Sequence, residues 1–322
     1  MALSCIERNR ESSSSVRQPA KSVKVGTYKE NSGTDRNNVE YPMTFVKRLA
    51  TGVAAAAVVL GTALGAAQAQ DTSKVDEIRD RGTLRIAGIL NEDPYFSKDP
   101  RTGEWRGFVV EMGKDMAATL GVELEVVESS WANSILDVQS NKVDLAFALT
   151  ALPTRALSVS FSTPTYYNSF VMISPKAELQ GKTWAEWNDA AYTIAVDLGS
   201  AQDQITKAYL PNATILRFKT RDEAVLALTT GKADAVINTV LNGLVMTKKN
   251  PALGTVMIPE PVLSSPSVIG MAHGTDAVFS GFVSAWADYN RRVGNNQTWI
   301  LMGLDPFGIT LEDLPAGFDI NG

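Results

Sequence analysis

Cysteine is almost missing from this chain. Of 322 residues only Cys5 carries a thiol, and it lies in a polar N-terminal stretch. Everything downstream is therefore without disulfides, thiol nucleophiles, cysteine-based metal sites or a cysteine for a lipid anchor. Histidine is equally scarce in the sequence: the single one, His273, ends a late strand-like run and reads as a surface or packing residue. No Ser-His-Asp set, HExxH pair, other metal-ligand cluster or P-loop can be assembled. Positive charge is nowhere concentrated. With 30 basic against 35 acidic residues and a net charge of −5, the chain lacks the clustered basic surface that nucleic acids require.

Long hydrophobic runs are few, and the longest has a particular layout. Residues 49–67, dominated by Ala, Val, Leu and Gly, follow Lys47-Arg48 and precede Ala67-Gln68-Ala69. A basic start, an apolar middle and an A-x-A site form a cleavable secretory signal. Thr51 and Thr62 interrupt the run and no basic stop-transfer flank follows, which argues against a membrane anchor. Residues 43–69 are expected to be a signal peptide that exports the remainder from the cytoplasm. Residues 1–42 are polar and lack apolar periodicity; they read either as a disordered extension or as sequence upstream of a true start at Met43.

What remains is about 250 residues, enough for one large domain or two lobes. Strand-like and helix-like segments alternate along it. Strands are expected at 83–90, 122–127, 143–149 and 170–174, with helices at 107–120 and 131–140. A second series places strands at 192–196, 214–218, 233–237, 256–259 and 267–272. Its helices fall at 199–210, 221–230, 240–249 and 276–293, with a further turn or two at 297–302. The two series echo each other: Asn141-Lys142-Val143-Asp144 is matched by Gly231-Lys232-Ala233-Asp234. Each aspartate is expected to satisfy local backbone donors, as a structural device used twice. The pattern predicts two α/β lobes, each around its own sheet. Residues 303–322, with Pro306, Gly308, Pro315 and Gly317, read as loop with at most a short helix near 310–314.

The chemically most informative stretch is KVDLAFALTALPTRALSVSFSTPTYY, residues 142–167. A buried strand ends at Thr150 and Arg155 follows five residues later. A guanidinium offers paired N–H donors that match two carboxylate oxygens. In open α/β sheets ligands bind beyond the carboxyl ends of strands. That rule puts Thr150 at one edge of a site, Asn238 and Thr239 at the other, and Asp197-Leu198-Gly199-Ser200 beside them. Ser200 opens a helix whose free N–H groups suit an anion.

Taken together these segments resemble the bacterial extracellular solute-binding proteins of family 3, the periplasmic receptors of polar-amino-acid ABC transporters. The residues that carry the resemblance are Arg81-Gly82-Thr83-Leu84-Arg85-Ile86, Gly103 with Gly107-Phe108, Glu111 and Trp131. They continue through Arg155, Phe161-Ser162-x-Pro164-x-Tyr166, Val196-Asp197-Leu198-Gly199-Ser200 and Lys249-Asn250-Pro251. The resemblance implies an α/β, two-lobed periplasmic binding protein fold (type II), with a ligand cleft between lobes joined by two hinge strands. Lobe 1 would comprise 71–170 and 266–322, lobe 2 would comprise 171–265, and the crossings would fall near 168–171 and 264–267. It implies a binding protein and not an enzyme, with no cofactor and no metal. The partners implied are an amino acid or related small carboxylate and an inner-membrane ABC permease, with the receptor a monomer in the periplasm.

By the same resemblance Arg155 and Thr150 hold the ligand carboxylate, Gly199 and Ser200 assist, and Trp131 lines the pocket. Ala148, Tyr95, Asn238 and Thr239 complete the candidate set. The family places an aspartate where Thr239 stands, to pair with the ligand's ammonium group. Here Asp93, Glu92 or Asp197 takes over that charge, or the ligand has no α-ammonium group. An unpaired buried cation is costly. The alternative to a receptor is an enzyme on the same scaffold, resembling the family's relative cyclohexadienyl dehydratase, which performs acid-assisted elimination.

Overall fold

The computed structural model describes residues 73–315 and 318–320. The expected signal peptide and the segment before it lie outside the described residues. Helix α1 (Lys74–Arg81), which the sequence reading did not anticipate, is capped by Ser73 and closed by Gly82 in the left-handed region at φ 76°. Strand β1 (Thr83–Ile89) follows, then a small hairpin of β2 (Ser97–Lys98) and β3 (Trp105–Arg106). Helix α2 (Phe108–Leu120) buries Phe108, Val109, Met112 and Met116, and β4 (Glu123–Ser129) returns parallel to β1.

Next come α3 (Ser134–Gln139), β5 (Ala146–Thr150), the short α4 (Pro153–Ala156) and β6 (Val159–Phe161). The expected strand at 143 starts later, because Asp144 and Leu145 bind back to β1 first. Its amide Asp144 N–H donates to the Arg85 carbonyl, and the Leu145 carbonyl accepts from Ala87 N–H. Strand β7 (Tyr166–Ser174) is longer than the sequence suggested. Its first half pairs with β12 (below) and its second half with a different set of strands.

The second series is α5 (Trp184–Trp187), β8 (Thr193–Asp197), α6 (Ala201–Tyr209), β9 (Thr214–Phe218), α7 (Arg221–Thr229), β10 (Ala235–Thr239), α8 (Val240–Lys249) and β11 (Thr255–Met257). Then β12 (Ser264–Ala272) crosses back, followed by α9 (Ala277–Arg292) and α10 (Asn295–Leu304). The main sheet runs β5-β12-β7-β10-β8-β9, with β6 on β12 and β11 on β7. Residues Tyr166 to Ser169 of β7 pair with β12, while Phe170 to Ile173 pair with β10. These two strands are thus the bridge between two halves of the molecule.

Each half has its own apolar centre. In the first, Phe108, Phe147, Phe279, Trp286 and Tyr166 pack together. In the second, Met172, Trp184, Trp187, Ile194 and Ile237 lie on one sheet face and Val171, Ile173 and Val236 on the other. Helix α8 joins them, placing Leu241 and Val245 in the first core and Val240 in the second half. The C-terminal segment forms 3-10 turns at Asp305–Phe307 and Leu311–Asp313, and the Ile320 carbonyl accepts from Tyr167 N–H at 2.7 Å, at the head of the bridging strand.

The repeated aspartates do the same work in both halves. Asp144 Oδ2 accepts Arg85 N–H of β1 at 2.8 Å, and Asp234 Oδ2 accepts Thr193 N–H of β8 at 2.7 Å. Each fixes a strand beside the helix end that precedes it. Asn141 and Gly231 both adopt positive φ, 58° and 72°, to make that turn.

Candidate functional site

A cavity opens where the ends of β5, β7 and β10 meet the loop after β1 and the start of α6. Its walls include Arg155, Thr150, Ala148, Trp131, Tyr95 and Thr239 from the predicted set. Ala148 has φ 60°, a conformation costly for a residue with a Cβ, and it faces the register shift between Val268 and Gly270 of β12. This irregularity sets the course of the chain just before Thr150.

Arg155 sits on α4, a single turn begun by Pro153. Its Nη1 donates to the Thr150 carbonyl at 3.4 Å and its Nη2 to the Gly199 carbonyl at 3.3 Å, across the cleft. Both bonds are long, both acceptors are neutral, and no ion pair to Arg155 occurs among the described residues. Desolvation pushes its pKa down to about 10, opposed by the charge of Asp197.

The opposite wall is built around Arg221, the first residue of α7, whose start is fixed by a Thr220/Glu223 capping box. Arg221 is fully engaged. Its Nε and Nη2 hold Asp197 at 3.0 and 2.9 Å, and its Nη1 donates to Asn238 and Asn242. Glu92, from the loop after β1, stands 3.6 Å from the same guanidinium and accepts a long 3.4 Å bond from Asn242. Burial pushes the Glu92 carboxyl up to about 7; Arg221 opposes the shift and Asp197 reinforces it. Burial also pushes the Tyr95 hydroxyl up to about 12, so it stays a neutral donor, 3.0 Å from Thr239 Oγ1.

Five of the candidate residues lie outside the cavity wall, each for a visible reason. Asp197 is held through both oxygens by Arg221 and does not line this cavity. Asn238 is buried behind it, tied to Arg221 and to Asn242. Asp93 points outward to Lys249 Nζ at 2.9 Å, while its carbonyl accepts from Asn242 at 2.6 Å. Ser200 is occupied as a helix cap: its hydroxyl donates to the Asp197 carbonyl at 2.7 Å and accepts from Asp203 N–H at 3.1 Å. Gly199 offers its carbonyl to Arg155, and its amide is taken by Asp203 Oδ2 at 3.3 Å. It stands, at φ 76°, so close to the first half that an added Cβ would lie 3.2 Å from that of Ala132. The residues following the cap, Ala201 and Gln202, face the cavity instead.

Sequence reasoning missed Arg221, Gln202, Tyr166, Asn168 and Phe170 of the wall. Asn168 and Tyr166 belong to the bridging strand, which the reading started too late. Arg221 is visible in sequence only as a helix start. His273 lies away from the cavity, its Nδ1 3.0 Å from Ser160 Oγ.

Residues 84–254 match the bacterial extracellular solute-binding proteins, family 3. This chain belongs to that family. Among similar proteins, cyclohexadienyl dehydratase of Pseudomonas aeruginosa is 26% identical over 223 residues, 68% of this chain and 81% of its own length. A probable histidine-binding protein of Campylobacter jejuni is 31% identical over 159 residues, covering 48% of this chain and 59% of that protein. Among solved structures, an ancestral amino acid-binding protein described as a precursor of cyclohexadienyl dehydratase superposes with a TM-score of 0.64 at 26% identity, over 73% of this chain and 99% of that one. A solute receptor for L-cysteine of Neisseria gonorrhoeae gives 0.65 at 25% identity, over 74% and 98%. The architecture of this family 3 protein is accordingly the two-lobed periplasmic-binding-protein fold, with the cavity between lobes joined by β7 and β12. No helix among the described residues is long and apolar enough to cross a membrane.

Proposed function

We propose that this family 3 protein is the receptor of an ABC importer, exported to the periplasm by residues 43–69 and handing an amino acid or related small carboxylate to an inner-membrane permease. It would act as a monomer whose lobes, 71–170 with 266–322 and 171–265, close by bending near 168–171 and 264–267. The observation that carries this reading is Arg155: a partly buried guanidinium on the cavity wall whose hydrogen-bond partners among the described residues are two carbonyls at 3.3–3.4 Å. A ligand carboxylate would replace those weak bonds with a charged pair. A hydrogen bond to a charged group contributes about 1.5–3 kcal/mol. Thr150, from the same strand end, and Gln202, at the first turn of α6, stand where they can add donors. The relatives that bind histidine, cysteine and other amino acids support the ligand class.

The test is a thermal-shift screen of L-amino acids and simple organic acids on the mature chain, followed by calorimetry of Arg155→Ala. A ligand that binds the native state raises the melting temperature, and the variant is expected to lose at least tenfold in affinity. Unchanged affinity would remove the arginine from the site.

One observation favours a second reading, an eliminating enzyme similar to cyclohexadienyl dehydratase. Glu92 places a carboxyl with a pKa of about 7 in the same cavity, the value suited to a general acid near neutrality. Incubation with prephenate or arogenate and detection of an aromatic product would establish it; absence of turnover leaves the receptor reading.

A further inference from the structure

The resemblance implies an aspartate for the ligand amine where Thr239 stands, and the Thr239 hydroxyl is engaged with Tyr95. We propose that Glu92 supplies that charge from the opposite lobe, so that the site takes a zwitterion with its carboxylate on Arg155 and its amino group on Glu92. The inference rests on the receptor reading above and adds the second pole of the ligand.

Two observations carry it. Glu92 is a wall-forming carboxylate, 3% exposed; the Trp131 indole donates to it, and its nearest charged partner among the described residues, Arg221, stands 3.6 Å away, with Asn242 at 3.4 Å. Buried carboxylates are ordinarily met by close charged donors, and Glu92 has none nearer than 3.6 Å among the described residues. The cation that faces it, Arg221, is already neutralised by two close bonds to Asp197. Glu92 is therefore the acid left to meet a ligand cation, and once ionised it balances the ammonium as Arg155 balances the carboxylate.

The second observation is independent of any charge. Asn168 of β7 is 7% exposed, its Nδ2 donates to the Tyr95 hydroxyl, and its Oδ1 has no partner among the described residues. It lines the same cavity. A buried acceptor without a donor is unfavourable until something donates to it. An ammonium group carries three donors, enough for Glu92, Asn168 Oδ1 and one further oxygen. Around them stand Tyr95, Trp131 and Tyr166, whose ring faces favour a cation.

The proposal carries a proton balance. The charged and titratable groups that meet Glu92 are Arg221 and Asp222 from α7, Asp197 from β8 and Tyr95 from its own loop, with Trp131 beside them. Burial holds the Glu92 proton to near neutrality. An ammonium group in contact favours the ionised carboxylate, so binding at pH 7 releases a fraction of a proton to the buffer.

The experiment pairs L-amino acids with their desamino counterparts, for example histidine with imidazolepropionate and phenylalanine with phenylpropionate. Both series are run on wild type, Glu92→Gln and Arg155→Ala by thermal shift and calorimetry. The expected result is an L-amino acid that binds wild type, a desamino partner at least tenfold weaker, and a Glu92→Gln variant that loses at least tenfold for the amino acid alone. Binding heats at pH 7 should differ between phosphate and Tris for wild type and agree for Glu92→Gln. If amino acid and desamino acid bind alike, or Glu92→Gln binds as wild type, the amine pole is overturned while an Arg155→Ala loss keeps the carboxylate pole. If neither series binds wild type, both readings fall. The wild-type comparison of the two series decides the matter even if a variant does not fold.

Discussion

Asp144 and Glu92 are equally hidden, each 3% exposed, and both face arginine, yet burial has opposite outcomes for them. Asp144 receives Arg85 through backbone and side chain, Arg81 Nη2 at 2.5 Å and Lys74 Nζ at 3.1 Å. Burial works against its charge, but the Arg85 hydrogen bonds and the nearby Lys74 and Arg81 charges hold its carboxyl below the usual range. Glu92 shares one guanidinium with a nearer competitor, Asp197, and its carboxyl rises. The supply of close cations therefore decides the state of each buried acid, and burial alone does not. Asp144 is a structural pin that ties β1 to β5. Glu92 is held in a condition that only another cation would relieve.

That contrast can be broken from either side. Removing the well-supplied charge should have the largest effect. Asp144→Asn strands three cations around a buried neutral amide, and losing one partner of a buried ion pair costs about 3–5 kcal/mol. Chemical denaturation at pH 7 should show that loss, and the gap to wild type should close as pH falls, because the depressed native pKa contributes only above the unfolded value and is lost as the group protonates. A gap independent of pH would show that Asp144 acts through packing alone.

Glu92 should behave with the reverse sign. Its native pKa of about 7 exceeds the unsupported value of 4.5, so the native state binds more protons between those pH values. Its contribution to stability is complete below pH 4.5, declines as pH rises through 7, and is lost by about 3 kcal/mol at most above that. Glu92→Gln, a fixed mimic of the protonated acid, should therefore melt higher than ligand-free wild type at pH 8 and nearly with it at pH 4.5. Equal melting at both pH values would remove the strain assigned to Glu92. The smallest effect is expected of Asp234→Asn in the second lobe. Its partner Lys176 is about half exposed and solvent screens that pair, leaving the Thr193 amide as its main loss, about 1 kcal/mol by urea unfolding.

The same contrast shows what the sequence made legible. Asp144 and Asp234 stood out because each opens a buried strand after a helix stop, and a local pattern implies a local role. Arg155 was readable for the same reason, five residues after a strand end on the same stretch of chain. Two lobes followed from two alternating series. The pairing of Glu92 with Arg221 was not legible, since 129 positions separate them and nothing local to either names the other. Asp197 looked like a ligand group because it ends a strand at the cleft; only the fold reveals Arg221 beside it. Helix α1 and the β2–β3 hairpin went unread for want of long apolar periodicity, and the start of β5 moved because Asp144 and Leu145 bind β1 before the strand proper begins.

The meeting of Gly199 with Ala132 also has a consequence for the working cycle. A glycine and an alanine face each other there, so the two halves approach until a Cβ added at Gly199 would lie 3.7 Å from the Ala132 Cα. If the lobes close on a ligand as proposed, bulk added at either residue would hold them apart and leave the cavity open to water.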